Sequence, residues 1–322
     1  MIYILHYNKR LGRLLNWIAM HFDKPLAPPS QHEQSAIVAL RDQVSAQPHT
    51  LSDSAPPSML AWQKFSMQFR EAVLCNDPRA FLRWPMIRKA MFVSNQPYIV
   101  LELLHLRRRK DWRQRWYPAL RESAIGHPIP FWALPCSSGN LIHHAYHLAQ
   151  FEVHTGRSAT DFSSVFEFGG GYGSMCRLFH QLGFTGRYVI YDLPPFSVLQ
   201  RFYLQALGLP VYTIEELPNR GGGILCISRE DSIRKAIAWA EQGETLFVGT
   251  WSIGETPKSV RERMMPLINP CRGVLIAYGR QFEEMNNSAY FNSWAIEHSE
   301  FQWNHVNIQT LLDHFYLFGL RA

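Results

Sequence analysis

From Phe162 onward, short apolar runs alternate with segments whose apolar residues recur every three or four positions. The runs at 164–168, 187–191, 224–228, 245–250 and 273–278 are β-branched and aromatic, which predicts strands. Their alternation with amphipathic segments predicts a parallel sheet covered by helices on both faces. The closing run, 314–321, reads as one more strand. Between Gly208 and Ser228 two runs, 210–213 and 224–228, compete for the third strand, and the second is preferred.

Before Phe162 the pattern is helical. Residues 2–22 form an amphipathic basic segment and 33–44 a second short helix. Such helices commonly pack on the main body, the alternative being a membrane-surface or partner-docking role. From about Leu60 to Thr155 helical periodicity is broken by Pro85, Pro97, Pro118, Pro128, Pro130 and Pro135. The last helix, NLIHHAYHLAQFEVHTG, carries an apolar stripe of Ile142, Ala145, Tyr146, Ala149 and Val153, with His143, His147 and His154 on the other side. The expected organisation is a short helical segment at 1–44, a Ser/Pro-rich linker at 45–58, a helical lid or accessory region at 59–155 and the sheet domain at 156–322. The helical part also offers a surface for a homodimer.

Composition narrows the class. With 47% apolar and 18% charged residues over 322 positions, the chain can bury a core, which excludes a disordered tail or a fibre. No stretch is apolar enough to span a bilayer, and no secretion signal is read at the start. Five cysteines without CxxC spacing argue against a disulfide framework or a thiolate zinc site, so a cytoplasmic location is expected. The net charge of +6 has a local source: residues 105–121 hold seven Arg and Lys against Asp111 alone. Interleaved with Trp112 and Trp116, this stripe resembles a nucleic-acid surface, but the preferred reading is a solvated helix face with its tryptophans turned inward.

The sharpest signal is VFEFGGGYGSMCRLFHQLGFTGRYVIYDLPPF, residues 165–196. An apolar strand leads through Glu167 to Gly169, Gly170, Gly171 and Gly173, where the backbone must turn sharply and admit a ligand without a Cβ in the way. A helix follows, with Met175, Leu178, Phe179 and Leu182 on one face and Gly183 suited to its end. The next strand ends in Asp192, a carboxylate able to accept both hydroxyls of a ribose. A dinucleotide site wants G-x-G-x-x-G, whereas Ser174 fills the slot of the third glycine. Glu167 would repel a pyrophosphate but suits a cofactor bearing an ammonium group and no phosphate, namely S-adenosylmethionine.

With E-x-G-x-G-x-G and a strand ending in Asp192-Leu193-Pro194, the chain resembles the class I S-adenosylmethionine-dependent methyltransferases. FEFGGGYGSM, YDLPPFSVLQRFYL and LFVGTWSIGETP resemble, within them, the bacterial sugar O-methyltransferase family, over residues 130–322. The resemblance implies a Rossmann-like, seven-stranded, mostly parallel sheet with an antiparallel strand near the end. It places the methionine end on Glu167 and the glycine loop, the ribose on Asp192 and the adenine beside Leu193.

Enzymes that methylate amino groups place an [N/D]-P-P-[Y/F] turn after the fourth strand; here TWSIGETP stands there, and DLPPF belongs to the second strand. Oxygen is therefore the expected acceptor, in a sugar or glycan precursor, with Trp251, Ser252 and Glu255 bordering the transfer site. Trp251 is taken as a cofactor contact, and Tyr146, Ser252, Asn286 and Asn287 as substrate contacts. A hydroxyl attacks best with a base at hand, and Glu255 and one of His143, His144 or His147 are the candidates. His143 and His147 have the spacing of zinc ligands, but residue 144 is His and no third ligand is evident, so no metal is expected. RNA methylation, phenolic O-methylation and a non-catalytic nucleoside-binding module are the rival readings, with nucleic acid disfavoured.

Overall fold

Helices come first along the chain, and prolines start several of them. In the computed structural model, which describes residues 9–46, 57–216, 221–240 and 244–321, α1 (Lys9–Ala19), α2 (Gln31–Ala46), α3 (Pro57–Cys75), α4 (Pro85–Met91) and α5 (Pro97–Arg107) precede a π-helical turn at Trp112–Trp116 and the single-turn α6 (Tyr117–Ala119). Pro85 and Pro97 occupy first helical positions, where a missing N–H costs nothing. Residues 1–8, and 47–56 of the expected linker, lie outside the described part; residues 45 and 46 end α2, and 57 and 58 begin α3.

A hairpin of β1 (Pro130–Phe131) and β2 (Leu134–Ser138) leads into α7 (Gly139–Thr155). Then come β3 (Ser164–Phe168), α8 (Ser174–Gln181), β4 (Arg187–Tyr191), α9 (Pro194–Ala206), β5 (Val211–Tyr212), β6 (Gly223–Ile227), α10 (Glu230–Ala240), β7 (Thr245–Thr250), α11 (Lys258–Met264) and β8 (Gly273–Gly279). A small hairpin, β9 (Gln281–Phe282) with β10 (Met285–Asn286), is followed by α12 (Asn287–Glu297), β11 (Phe301–Asn307) and β12 (His314–Arg321).

The sheet runs β11-β12-β8-β7-β3-β4-β6-β5. The six strands from β8 to β5 are parallel to their neighbours, while β12 is antiparallel to both β8 and β11. This is the expected Rossmann-like, mostly parallel α/β fold, with eight strands in place of seven. The eighth is β5: both competing runs become strands, the fully buried β6 beside β4 and the two-residue β5 outside it at the edge. β11 has no apolar run to announce it. Only Phe301 of its seven residues is buried, and pairing with β12 along its whole length makes it a strand.

Helices α7, α8 and α9 cover one face of the sheet, and α10, α11 and α12 the other. The N-terminal helices join the first of these layers in one continuous core: Ala36, Leu40 and Val44 of α2 and Phe69 and Val73 of α3 pack in the same cluster as Leu199 and Phe202 of α9. Among the described residues no helix is long and apolar enough to cross a membrane.

Three neighbouring parallel strands end in register on one edge, and there the sheet hands over to loops. The N–H of Gly169 donates to Tyr191 O (2.8 Å), that of Asp192 to Ile227 O (3.0 Å) and that of Trp251 to Ala277 O (2.7 Å), each extending the ladder one residue past its strand. This carboxyl edge is where open parallel sheets place ligands.

Candidate functional site

The loop after β3 turns through left-handed backbone at Gly169 (φ +72°), Gly171 (φ +58°) and Gly173 (φ +92°), a conformation side chains with a Cβ rarely adopt. Gly169 has a second reason to lack a side chain, since its Cβ would stand 2.2 Å from the Cβ of Ser252. The Ser252 hydroxyl donates to Phe168 O, so the turn after β7 is clamped against the loop after β3. Gly183, in left-handed backbone, ends α8 as expected.

Glu167 and Asp192 flank this loop differently. Glu167 lies on the α8 and α9 side of β3 and is only 2% exposed; its Oε2 accepts a hydrogen bond from Tyr188 Oη (2.9 Å). A Cβ on Gly170 would meet that same oxygen at 2.9 Å, so Glu167 sits directly beneath the loop. Burial pushes its carboxyl up to about 8, and Asp192 adds to the rise.

Asp192 is half-buried at the end of β4. Its Oδ2 accepts from Gly171 N–H (3.0 Å) and Gln200 Nε2 (2.9 Å), and its Oδ1 from Leu193 N–H (2.8 Å). Desolvation outweighs these donors and lifts the carboxyl to about 7. Leu193 beside it is 41% exposed, an uncovered apolar surface at the strand edge.

Helix α7 crosses the same edge. Asn140 in its first turn donates from Nδ2 to Tyr172 Oη of the glycine loop (2.9 Å) and accepts from Val93 N–H (3.1 Å). His143, one turn on, is buried and donates from Nδ1 to Glu102 of α5 (3.0 and 2.9 Å). Its ring lies parallel to that of Trp251, with centroids 5.9 Å apart and planes 5° apart. His147 packs edge-on to the same indole, and its Nδ1 bonds Tyr316 Oη of β12 (2.6 Å), while its Nε2 is buried without a partner. Burial holds His147 well below the usual imidazole range and takes His144 down to about 3. The histidines therefore do not form a polar outer face: α7 is enclosed on nearly every side, and its polar residues meet α5, β12 and the turn after β7. Trp251 itself adopts φ +68°, an outlier for a bulky residue and the kind of local strain that accompanies functional turns.

The remaining predicted residues scatter. Tyr146 is buried on α7 against His105, with Thr310 and Glu102 close by. Glu255 is exposed in the helical turn after β7, where partial desolvation raises its carboxyl above the ordinary range. Asn286 caps α12 by accepting from Ala289 N–H (3.0 Å). Asn287 is buried: its Oδ1 accepts from Arg261 Nη1 (2.7 Å), and its Nδ2 donates to Gly254 O (3.0 Å) and Gly279 O (2.8 Å). Both its N–H groups are thus engaged within the protein.

The basic stretch is partly consumed by internal pairing. Arg109 and Arg115 both grip the carboxylate of Glu152, both also pair with Asp111, and both lie over the ring of the buried Trp116. Trp112 and Trp116 turn inward, as expected for a helix face. Among the described residues no group of three or more side chains is placed to hold a metal ion.

Glu102, Thr310, Tyr316 and Gln200 complete the site and were not expected from the sequence. Glu102 alone carried a signal, a single carboxylate inside the apolar run of α5, where burial demands a partner.

No protein-family model matches the chain, and no curated protein matches it. Among solved structures it is similar to an S-adenosylmethionine-dependent methyltransferase from Aquifex aeolicus (9% identity, 50% of this chain and 82% of that one, TM-score 0.33). It is also similar to the methyltransferase domain of bacterial CtHen1 (12%, 56% and 100%, TM-score 0.38) and to the SAH-bound Podospora anserina methyltransferase PaMTH1 (8%, 84% and 100%, TM-score 0.35). At these identities and scores, the fold rests on the chain's own strand order.

Proposed function

We propose that this chain transfers a methyl group from S-adenosylmethionine to a hydroxyl, the acceptor being a sugar or glycan precursor. The observation that carries the reading is the left-handed glycine loop held between Glu167 and Asp192 on the carboxyl edge of the sheet. The donor set fits the cofactor. Asp192 presents a half-open carboxyl group for the ribose hydroxyls, Leu193 an uncovered apolar surface for the adenine, and Glu167 a buried carboxyl group beneath the place of the ammonium group, whose charge would favour its ionised form. Two carboxylates and no cation among these residues disfavour a pyrophosphate.

When bound, the cofactor supplies a methyl group on a sulfonium that leaves as a neutral thioether and needs no acid. The protein's work lies with the acceptor. His143 takes the hydroxyl proton on Nε2, since Nδ1 is committed to Glu102, and Glu102 is the positioning residue that holds this tautomer. The imidazole of His144, pushed to about 3, is too weak a base for the task. Trp251 stacks on this imidazole, and the Ser252 hydroxyl, next in the chain, ties the turn to the end of β3. The test is mass-shift screening of nucleotide sugars, glycans and phenols with S-adenosylmethionine: a gain of about 14 Da on a sugar alone is expected from one added methylene. Failure to bind the cofactor at all would remove the whole reading, whereas a methylated phenol would remove only the acceptor.

A further inference from the structure

The sheet ends differently at its two edges. β5 is only two residues long, and so short an edge offers little to pair with. β11, at the opposite edge, runs seven residues in unbroken register with β12. In an antiparallel ladder every second residue turns its N–H and C=O to the neighbouring strand, and the residues between turn theirs away. Ile308 N–H donates to His314 O (2.8 Å), so Gln302, Asn304 and Val306 face β12 in the same way, and Trp303, His305 and Asn307 direct their backbone groups outward. Among the described residues no hydrogen bond reaches the outward groups of these three; Phe301 N–H, first in the row, turns back to His298 O (3.2 Å). Edge strands are ordinarily guarded by a lysine, a proline or a bulge. The sequence FQWNHVN has no charged residue and no proline, its register is unshifted, and His305 and Asn307 are exposed.

We propose that β11 pairs with β11 of a second copy of the chain, antiparallel about a two-fold axis through His305, so that the two eight-stranded sheets join into one. His305 then lies opposite its own counterpart and Trp303 of each copy opposite Asn307 of the other, which satisfies every outward N–H and C=O of the three residues. A two-fold contact needs a self-complementary surface, and an uncharged strand does not repel its own image. A strand from another protein is the poorer occupant, because it covers β11 only by exposing an outer edge of its own. A second copy removes the bare edge altogether and leaves the joined sheet ending in the short β5 on both sides. This inference does not depend on the methyl-transfer reading.

The test is the mass of the full chain in solution, measured by light scattering across a dilution series. Twice the chain mass at the concentrated end is expected. His305→Pro removes an outward N–H that β12 does not use, and His305→Lys sets two like charges across the axis. Each should weaken the dimer roughly tenfold or more, with the far-ultraviolet dichroism of the native fold kept. In the unaltered chain, amide exchange at Trp303, His305 and Asn307 should slow as concentration rises. The proposal is overturned by a dimer that both variants leave intact, by exchange at these amides that ignores concentration, or by a monomer throughout the series; protected amides in such a monomer would give the edge to a strand from another chain.

Discussion

His143 of α7 and Glu102 of α5 form a buried pair, with Nδ1 2.9 Å from Oε2, 2% and 0% of the two residues exposed. The Thr310 hydroxyl donates to the same carboxylate (2.9 Å), and the Trp251 ring stacks on the imidazole. Three separate parts of the chain thus orient one imidazole beside the strand edge that carries the glycine loop. A histidine whose Nδ1 donates to a carboxylate keeps its lone pair on Nε2, which is what a base needs.

His143→Gly should lower kcat by about 10²–10⁴-fold with cofactor affinity unchanged, and added imidazole should restore part of the turnover. Glu102→Gln should lower kcat less and leave KM in place, with Glu102→Asp recovering activity. Full turnover in His143→Gly would move the base elsewhere, and Glu255→Gln would then be the variant that loses rate.

Cofactor binding should tighten with rising pH. Asp192 and Glu167, raised to about 7 and about 8, hold protons more readily when folded than when unfolded. Their contribution to stability is complete below the ordinary carboxyl range near 4 and is lost as pH climbs through about 7 and 8. A cationic ligand favours the ionised carboxylates, so calorimetry between about pH 6 and 8.5 should show rising affinity with proton release. Asp192→Asn should flatten that dependence and weaken binding roughly tenfold or more, in line with losing a charge-assisted pair of hydrogen bonds. A flat profile in the unaltered protein would sever the link.

Gly169→Ala should abolish cofactor binding and cost about 1 kcal/mol or more of stability from the left-handed backbone alone, before the contact with Ser252 is counted. Adding Ser252→Gly relieves that contact but not the backbone strain. The double variant should therefore recover part of the lost stability in a denaturant melt; no recovery would mean that the two residues are not in contact.

Asn287→Ala should destabilise the fold by about 2–3 kcal/mol, because the buried Arg261 loses one of its three acceptors. Below the melting transition, KM for the acceptor should be unchanged. A raised KM at unchanged stability would instead return Asn287 to the substrate site.

Much of the architecture was legible in the chain because it depends on local pattern. Buried parallel strands need continuous apolar runs, and the positions 164–168, 187–191, 245–250 and 314–321 coincide with β3, β4, β7 and β12. The glycine loop and its two flanking acids were equally visible, since left-handed turns and charged strand ends leave few residue choices. Packing decided what pattern does not encode. Pairing along an edge made β11 a strand despite its polar composition, and added β5 to a sheet expected to have seven strands. Enclosure of α7 between α5, β12 and the Trp251 turn converted a presumed polar face into a buried cluster, and joined His143 to a carboxylate 41 residues away. Asn287 became a structural knot for the same reason: which groups meet across long sequence separation is set by how helices and strands stack, and no periodicity carries that information.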